Sequence, residues 1–220
     1  VVAVTLKNIA NGSAARRLQI SDDHAPIHPH YATEDMRGKY RPYERDPKNG
    51  ARYWAIPGKE GYEHIIGGLE KDGTTGEISN DPDNHNRMVH ARQEKVKRIE
   101  VPNVQVEGDA GTADLLIVGW GGTYGHLYTA MEALREKGHK VALAHFEYIN
   151  PLPKNTAEVL LGYKQVVVCE QNLGQFAAWL RANVDGFAPH QYNEVKGQPF
   201  KVEQLVAAML PLLDDDATRQ

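Results

Sequence analysis

The chain has 220 residues, 41% of them hydrophobic, with 25 Lys and Arg against 29 Asp and Glu and a formal net charge of −4. That length buries a real core and fits one compact domain plus a long extra segment better than two full domains. Basic residues are scattered rather than striped, which argues against a nucleic-acid partner.

No apolar run is long enough to span a bilayer, and the first residues lack the pattern of a signal peptide, so the expectation is a soluble, cytoplasmic protein with no membrane partner. Cys169 is the single cysteine. It permits no internal disulfide and cannot supply the four thiolates of an ordinary iron–sulfur cluster, so any cluster belongs on a partner.

"VVAVTLKNIANGS" opens on β-branched residues and ends in a turn, the pattern of a strand. With nothing ahead of Val1 to pair with it, the expectation is that residues 1–20 are the end of a preceding α/β domain in a longer polypeptide. Asn11 matches a glycosylation acceptor, but without a secretory signal the plainer reading is a turn.

Residues 21–80 have no sustained period, many prolines and glycines, and six aromatics: Tyr31, Tyr40, Tyr43, Tyr53, Trp54 and Tyr62. That is too aromatic for simple disorder. A long structureless loop inside a compact domain is improbable, so the segment is expected to be an arm whose rings pack on other domains or subunits; a small irregular subdomain with its own core is the alternative. Asp81 as cap and Pro82 at the first helical position then start a helix, with Met88, Val89, Val96 and Ile99 as its apolar stripe and an end before Pro102. Residues 21–110 form the arm and this helix.

From residue 111 onward the texture becomes a regular alternation. "DLLIVGW", "KVALAHFEYI" and "QVVVCE" read as buried strands, and "HQYNEV" as a short one. Helices are expected over roughly Thr123 to Lys137, ended by Gly138; at "NTAEVLLGY", with an Asn155 and Glu158 capping box; at "LGQFAAWLRANV", with Leu173, Phe176, Ala177 and Leu180 on one face; and at "KVEQLVAAMLPLL". Met131 and Leu134 read as core. The fold class is α/β, a mainly parallel sheet with helices on both faces over residues 111–220, preceded by the long irregular arm.

Ligands in such folds sit at the carboxyl ends of the strands. Three of those ends are polar or glycine-rich: the turn from Gly119 to Gly125, "HFEYINPLPKN" and "CEQNLGQ". They are expected to cluster. Glycines let backbone N–H groups approach a ligand, and the helix that follows directs its positive end outward, so a phosphate or carboxylate is the natural guest. A tight strand-to-helix turn with no ligand is the alternative. Gly119, Gly121 and Gly125, with Glu147 at the end of the next strand, also make a weak variant of the dinucleotide fingerprint, which leaves open a stand-alone NAD(P)-binding Rossmann-like module. His24, His28 and His30 are close enough in sequence to raise zinc, but with no cysteine nearby solvated loop histidines are the safer reading, and no metal site is assigned. Cys169 ends an apolar strand and reads as a buried, inert thiol.

Taken together, "RPYERDPKNGARYWAIPGKEGYEHIIGGLEKDGTTGEISNDPDNHNRMVHARQEKV", "GWGGTYG", "INPLPKN" and "EQNLGQ" resemble, in order and spacing, the C-terminal third of the α subunit of 2-oxoacid:ferredoxin oxidoreductases, most closely the 2-oxoglutarate type. The resemblance runs from about Arg41 to Leu210. It implies oxidative decarboxylation of a 2-oxoacid with coenzyme A to an acyl-coenzyme A and carbon dioxide, with electrons passed to ferredoxin. It implies thiamine diphosphate, magnesium and an iron–sulfur cluster held mainly outside this segment, a β subunit carrying the pyrophosphate site and the cluster, and an (αβ)2 assembly. Residues 111–220 resemble the C-terminal domain of transketolase, and residues 1–20 the end of the thiamine-diphosphate-type domain.

No catalytic residue carries over. The candidate cofactor-binding residues are Gly121, Gly122, Thr123, Tyr124, Gly125, Asn172 and Gln175. Two positions depart from the family pattern: Gly122 stands where a Ser is usual in the glycine turn, and Tyr53 where a Pro precedes Trp54. The first removes a hydroxyl that could touch an anion, so the turn could instead support a neighbouring thiamine site through its backbone.

Overall fold

The computed structural model describes residues 28–214. They fall into two compact units, residues 28–100 and residues 101–214. The strand expected over "VVAV", together with His24, lies outside the described residues.

Residues 28–100 are held together by backbone pairs, such as Asp46 N to Ala51 O and Ser79 N to Glu70 O, and by side chains bonded to backbone. Besides a short 3-10 turn at Glu34–Met36, the one α-helix among the described residues of this unit is α1, Pro82–Lys97, capped as expected by the Asp81 carboxylate, which accepts from the amides of Asp83 and Asn84. Its apolar stripe is narrower than the periodicity predicts. Met88 is buried, but Val89 and Ile99 are exposed, and Ile99 lies beyond the helix. Buried polar groups tie down the rest: the Asn84 side chain accepts from Gly73 N and donates to Lys71 O. Tyr62, also buried, donates its hydroxyl to Thr33 O at 2.8 Å and packs its ring near Tyr40. Lys71 is only 1% exposed, its ammonium donating to the carbonyls of Gly67 and Leu69. Tyr31 and Trp54, by contrast, lie in the open.

In residues 101–214 the expected alternation folds into a five-stranded sheet, ordered β1-β3-β2-β4-β5. The strands are β1 (Val106–Gly108), β2 (Leu115–Trp120), β3 (Val141–Phe146), β4 (Gln165–Glu170) and β5 (His190–Asn193). Strands β2 to β5 are parallel, while β1, which the sequence reading did not foresee, pairs antiparallel with β3. β2 is central, and Leu115 to Val118 are wholly buried because both faces of the sheet are covered. Each such side chain contributes roughly 1.5–3 kcal/mol of burial free energy.

Alternate residues of the strands serve the two faces. On one, Leu116, Val118, Ala144 and Phe146 pack under α3 (Thr156–Leu161) and α4 (Gln175–Asn183). On the other, Leu115, Ile117, Val141 and Leu143 pack under α2 (Tyr124–Glu136) and α5 (Val202–Asp214), with Met131 and Leu134 in that core as predicted. This is the α/β class read from the sequence, with helices on both faces.

Two local expectations are corrected. Asn155 does not cap α3; its side chain accepts from Val104 N and donates to Val104 O, pinning the approach to β1 instead. Leu173 is not on the buried face of α4: that helix begins at Gln175, and Leu173 is 82% exposed.

Candidate functional site

From β2 the chain leaves toward β3 on one side, and on the other side β2 pairs with β4. A parallel sheet opens a crevice at such a point, beyond the carboxyl ends of the two strands. The three polar strand ends meet there.

The glycine turn follows β2. A Cβ on Gly119 would lie 2.2 Å from Leu127 Cδ1 and 2.9 Å from Thr123 Oγ1, so only glycine lets α2 close onto the strand. Gly121 has φ +62°, in the left-handed region that favours glycine. The Thr123 hydroxyl turns back to donate to Trp120 O at 2.8 Å, and no side chain caps the first turn of α2. A Cβ on Gly125, in that first turn, would meet open space. Thus Gly121, Gly122, Thr123, Tyr124 and Gly125 place an uncapped helix start at the rim.

Beside this turn the Tyr124 hydroxyl donates to Glu107 Oε2 at 3.0 Å, which raises the phenol pKa above its ordinary value. The Tyr124 ring meets His145 edge-on, with centroids 5.2 Å apart. Burial lowers the His145 pKa, and its Nε2 is buried with no hydrogen-bond partner among the described residues.

The start of α4 is the opposite case. Glu170, the last residue of β4, is completely buried. Its Oε2 accepts from Trp120 Nε1 at 3.2 Å, Asn172 Nδ2 at 2.8 Å and Phe176 N at 2.8 Å, and its Oε1 accepts from Ala177 N at 2.9 Å. Asn172 Oδ1 accepts from the amides of Gly174 and Gln175. Four consecutive amides at a helix start, the groups an anion would seek, therefore already face oxygens of this chain. The Asn172 side chain is occupied as a cap rather than offered outward. Gln175 alone of the candidates at this strand end turns to the rim.

There it joins a cleft of about 290 Å³ lined by Trp120, Ile149, Asn150, Gln175, Phe176 and Trp179. The Trp120 and Phe176 rings are 5.9 Å apart at 51°, and Trp179 Nε1 donates to Ile149 O at 2.8 Å. The sequence reading did not single out Trp120, Ile149, Trp179 or the four-donor role of Glu170. One signal was present: Trp179 lies off the buried face of its helix, four residues from Gln175.

Other candidates separate from the site. Glu147 is exposed just past β3. Cys169 is buried, and burial together with the neighbouring Glu170 charge pushes its thiol pKa far up, leaving it inert. His30 stacks on Tyr53 and lies 3.8 Å from Asp46. Among the described residues no group of three or more His, Cys, Asp or Glu side chains could hold a metal ion, and no helix is long and apolar enough to cross a membrane.

Residues 113–205 match the family model of the pyruvate:ferredoxin oxidoreductase core domain II. The 2-oxoglutarate oxidoreductase subunit KorA of Mycobacterium tuberculosis is 41% identical over 219 residues, covering 96% of this chain and 33% of that protein. Subunit alpha of 2-oxoacid:ferredoxin oxidoreductase 2 from Aeropyrum pernix is 30% identical over 162 residues, covering 70% of this chain and 25% of that protein. Among solved structures, a 2-oxoglutarate:ferredoxin oxidoreductase from Magnetococcus marinus with 2-oxoglutarate, coenzyme A and succinyl-CoA bound has a TM-score of 0.71 at 32% identity, covering 82% of this chain and 32% of that one. The chain thus spans a third or less of the length of these proteins. A stand-alone dinucleotide module is not favoured, since these relatives are oxidoreductase subunits of another kind and Gly119 is required by packing. The chain belongs to the 2-oxoacid:ferredoxin oxidoreductase family, its likeness being to part of the α subunit.

Proposed function

We propose that this chain is part of the α subunit of a thiamine-diphosphate-dependent 2-oxoacid:ferredoxin oxidoreductase acting on 2-oxoglutarate. The reaction converts the 2-oxoacid and coenzyme A to acyl-coenzyme A and carbon dioxide and delivers electrons one at a time to ferredoxin. The observation that carries this reading is the 41% identity sustained over 219 residues. In the cytoplasm, the irregular segment ahead of the sheet would serve as an arm that covers neighbouring surfaces, and the α/β unit that begins at about residue 111 would contribute an interface domain to an (αβ)2 assembly.

The described residues fit neither the cluster nor the magnesium diphosphate. The single thiol is sealed in the core, and Glu170 at the rim already receives four donors. Those groups are assigned to the rest of the α subunit and to the β subunit. What this chain offers is the uncapped start of α2, where Gly121 to Gly125 would hold a phosphate or a substrate carboxylate, or back the thiamine site through the main chain.

The test is 2-oxoglutarate-dependent and coenzyme-A-dependent reduction of methyl viologen by the full α subunit purified with its partner. Reduction that needs both substrates supports the reading. A cofactor-loaded complex that reduces the dye with no 2-oxoacid would sink it.

A further inference from the structure

Residues 28–100 carry a pair of charges that nothing among them answers. Arg45 and Arg52 face one another across an antiparallel bridge, where two like charges destabilise the pairing. The Arg52 guanidinium lies over the Tyr43 ring at 4.5 Å, and neither arginine makes an ion pair among the described residues. Arg45 donates to Gly50 O, and burial, then the charges of Arg52 and Arg92, lowers its pKa. The nearby carboxylates are committed elsewhere: Asp46 accepts from Lys48 N and lies 3.8 Å from His30, and Glu70 holds His85 and Arg92. α1 adds Lys95, close to Gly50, and Arg98, which donates to Pro47 O, so the hairpin is backed by further cations.

The same segment sets apolar side chains beside those charges. Exposure alternates along it: Arg52, Trp54 and Ile56 are exposed, while Ala51, Tyr53 and Ala55 are half-buried. Extended backbone turns alternate side chains to one face, so the three outward residues form a strip. Trp54 is 63% exposed and Ile56 52%. The strip is nonetheless fixed. Trp54 N donates to His30 O at 2.8 Å, Trp54 O accepts from Ala32 N at 2.9 Å, and Tyr53 O accepts from the Tyr40 hydroxyl at 2.7 Å. Tyr31, also exposed, is the bridge partner of Trp54. Exposed apolar side chains on a preset frame mark an interaction surface that loses little freedom when covered. Trp and Arg side by side are the residue types that anchor protein interfaces.

An unanswered guanidinium pair calls for a carboxylate, which Arg grips through two parallel N–H donors. A nucleic acid would need the cations to continue along its backbone, whereas the strip runs on into Trp54 and Ile56. We propose that Arg52, Trp54 and Ile56, with Arg45 and Tyr31 beside them, dock on the partner subunit where an Asp or Glu side chain lies next to an apolar hollow. This rests on the reading of the irregular segment as a covering arm and adds what the arm meets. The carboxylate answers the two arginines, and the hollow takes the indole.

The experiment is zero-length carbodiimide cross-linking of the full α subunit in complex with its partner subunit, carrying Arg52→Lys and read by mass spectrometry. Carbodiimide joins an amine only to a carboxylate in direct contact with it. Lys59, 2.7 Å from Glu34 Oε1, is the internal control. The expected product joins position 52 to an Asp or Glu of the partner subunit and is absent from the wild type, whose arginine does not react. Arg52→Glu and Trp54→Ala are each expected to raise the concentration at which the complex half-dissociates on dilution by about 30-fold or more, with circular dichroism confirming that both variants stay folded. Absence of the cross-link, a link confined to the α subunit, or an unchanged dilution curve for Arg52→Glu would each overturn the proposal. So would weakening by Trp54→Ala alone, which would leave an apolar contact without the carboxylate. Binding of a duplex of about 20 base pairs at roughly 1 µM, lost in Arg52→Glu, would make the strip a phosphate-binding surface and overturn it too. Lys39, Lys48 and Lys59 keep the two readings apart. Links from any of them to the partner subunit, without one from position 52, sink only the strip, and no link to that subunit from any of these positions sinks the covering arm as well.

Discussion

The indole nitrogen of Trp120 donates to the carboxylate of Glu170 across two neighbouring strand ends, at 3.2 Å, and the same oxygen also accepts from the Phe176 amide at the start of α4. One buried charge thus joins the glycine turn, the third polar strand end and a helix start. Glu170→Gln tests this. The amide keeps the shape but replaces an acceptor with a donor facing N–H groups. Chemical denaturation is expected to show a loss of about 2–4 kcal/mol, since buried donors are left without a partner. An unchanged midpoint would mean that the network contributes nothing.

The glycines of the turn should separate into two kinds. Gly119→Ala drives a methyl into Leu127 and Thr123, both buried, and is expected to cost about 1–3 kcal/mol. Gly125→Ala, in the first turn of α2 with open space around it, is expected to stabilise by about 0.5–1 kcal/mol. If a ligand anion approaches the main chain there, Gly125→Ala will at the same time raise KM in the assembled enzyme. Equal thermal shifts for the two variants would contradict the packing account of Gly119.

His145 gives a pH dependence with a definite sign. Burial lowers its pKa in the folded protein below the ordinary 6.5. As pH falls through about 6.5 the unfolded chain takes up the proton first, so stability declines below that pH and is fully present above it. Glu107, close to Tyr124, opposes the shift but does not reverse it. Unfolding curves at pH 7.5 and pH 5 are expected to diverge less for His145→Phe than for the wild type. Equal divergence would remove His145 as the source.

Lys71 offers a test in residues 28–100. Its ammonium is sealed from water and bonds the carbonyls of Gly67 and Leu69, which fixes the loop carrying the exposed Ile65, Ile66 and Leu69. Lys71→Met fills the same space but leaves both carbonyls unanswered, so about 2 kcal/mol of local stability should be lost. Limited proteolysis between residues 64 and 71 should speed up accordingly. A cleavage pattern identical to that of the wild type would show that the loop holds itself.

How much of this was legible in the sequence follows from the kind of force involved. The buried strands of residues 111–220 announced themselves because a parallel strand covered on both faces must be apolar throughout, as "LLIV" and "VVVC" are. β1 did not, since "VEG" is three residues long and half-buried at the sheet edge. The clustering of three polar strand ends was readable from topology, and the cleft brings all three together. What those ends do to one another was not readable. Glu170 could be seen as a charge after an apolar run, but its four donors come from residues brought near only by the fold. Residues 28–100 were opaque for a related reason: Tyr40, Tyr62, Lys71 and Asn84 hold the chain through side-chain bonds to backbone, which leave no period behind.

The tight seat of Gly119 against Leu127 and Thr123 has a mechanical consequence. Strand and helix are keyed together at that point, so the glycine turn is a fixed abutment rather than a hinge. Fit to a guest at this rim then falls to the side chains above it and to the segment of Ile149 and Asn150, which meets Trp179 through a single main-chain oxygen.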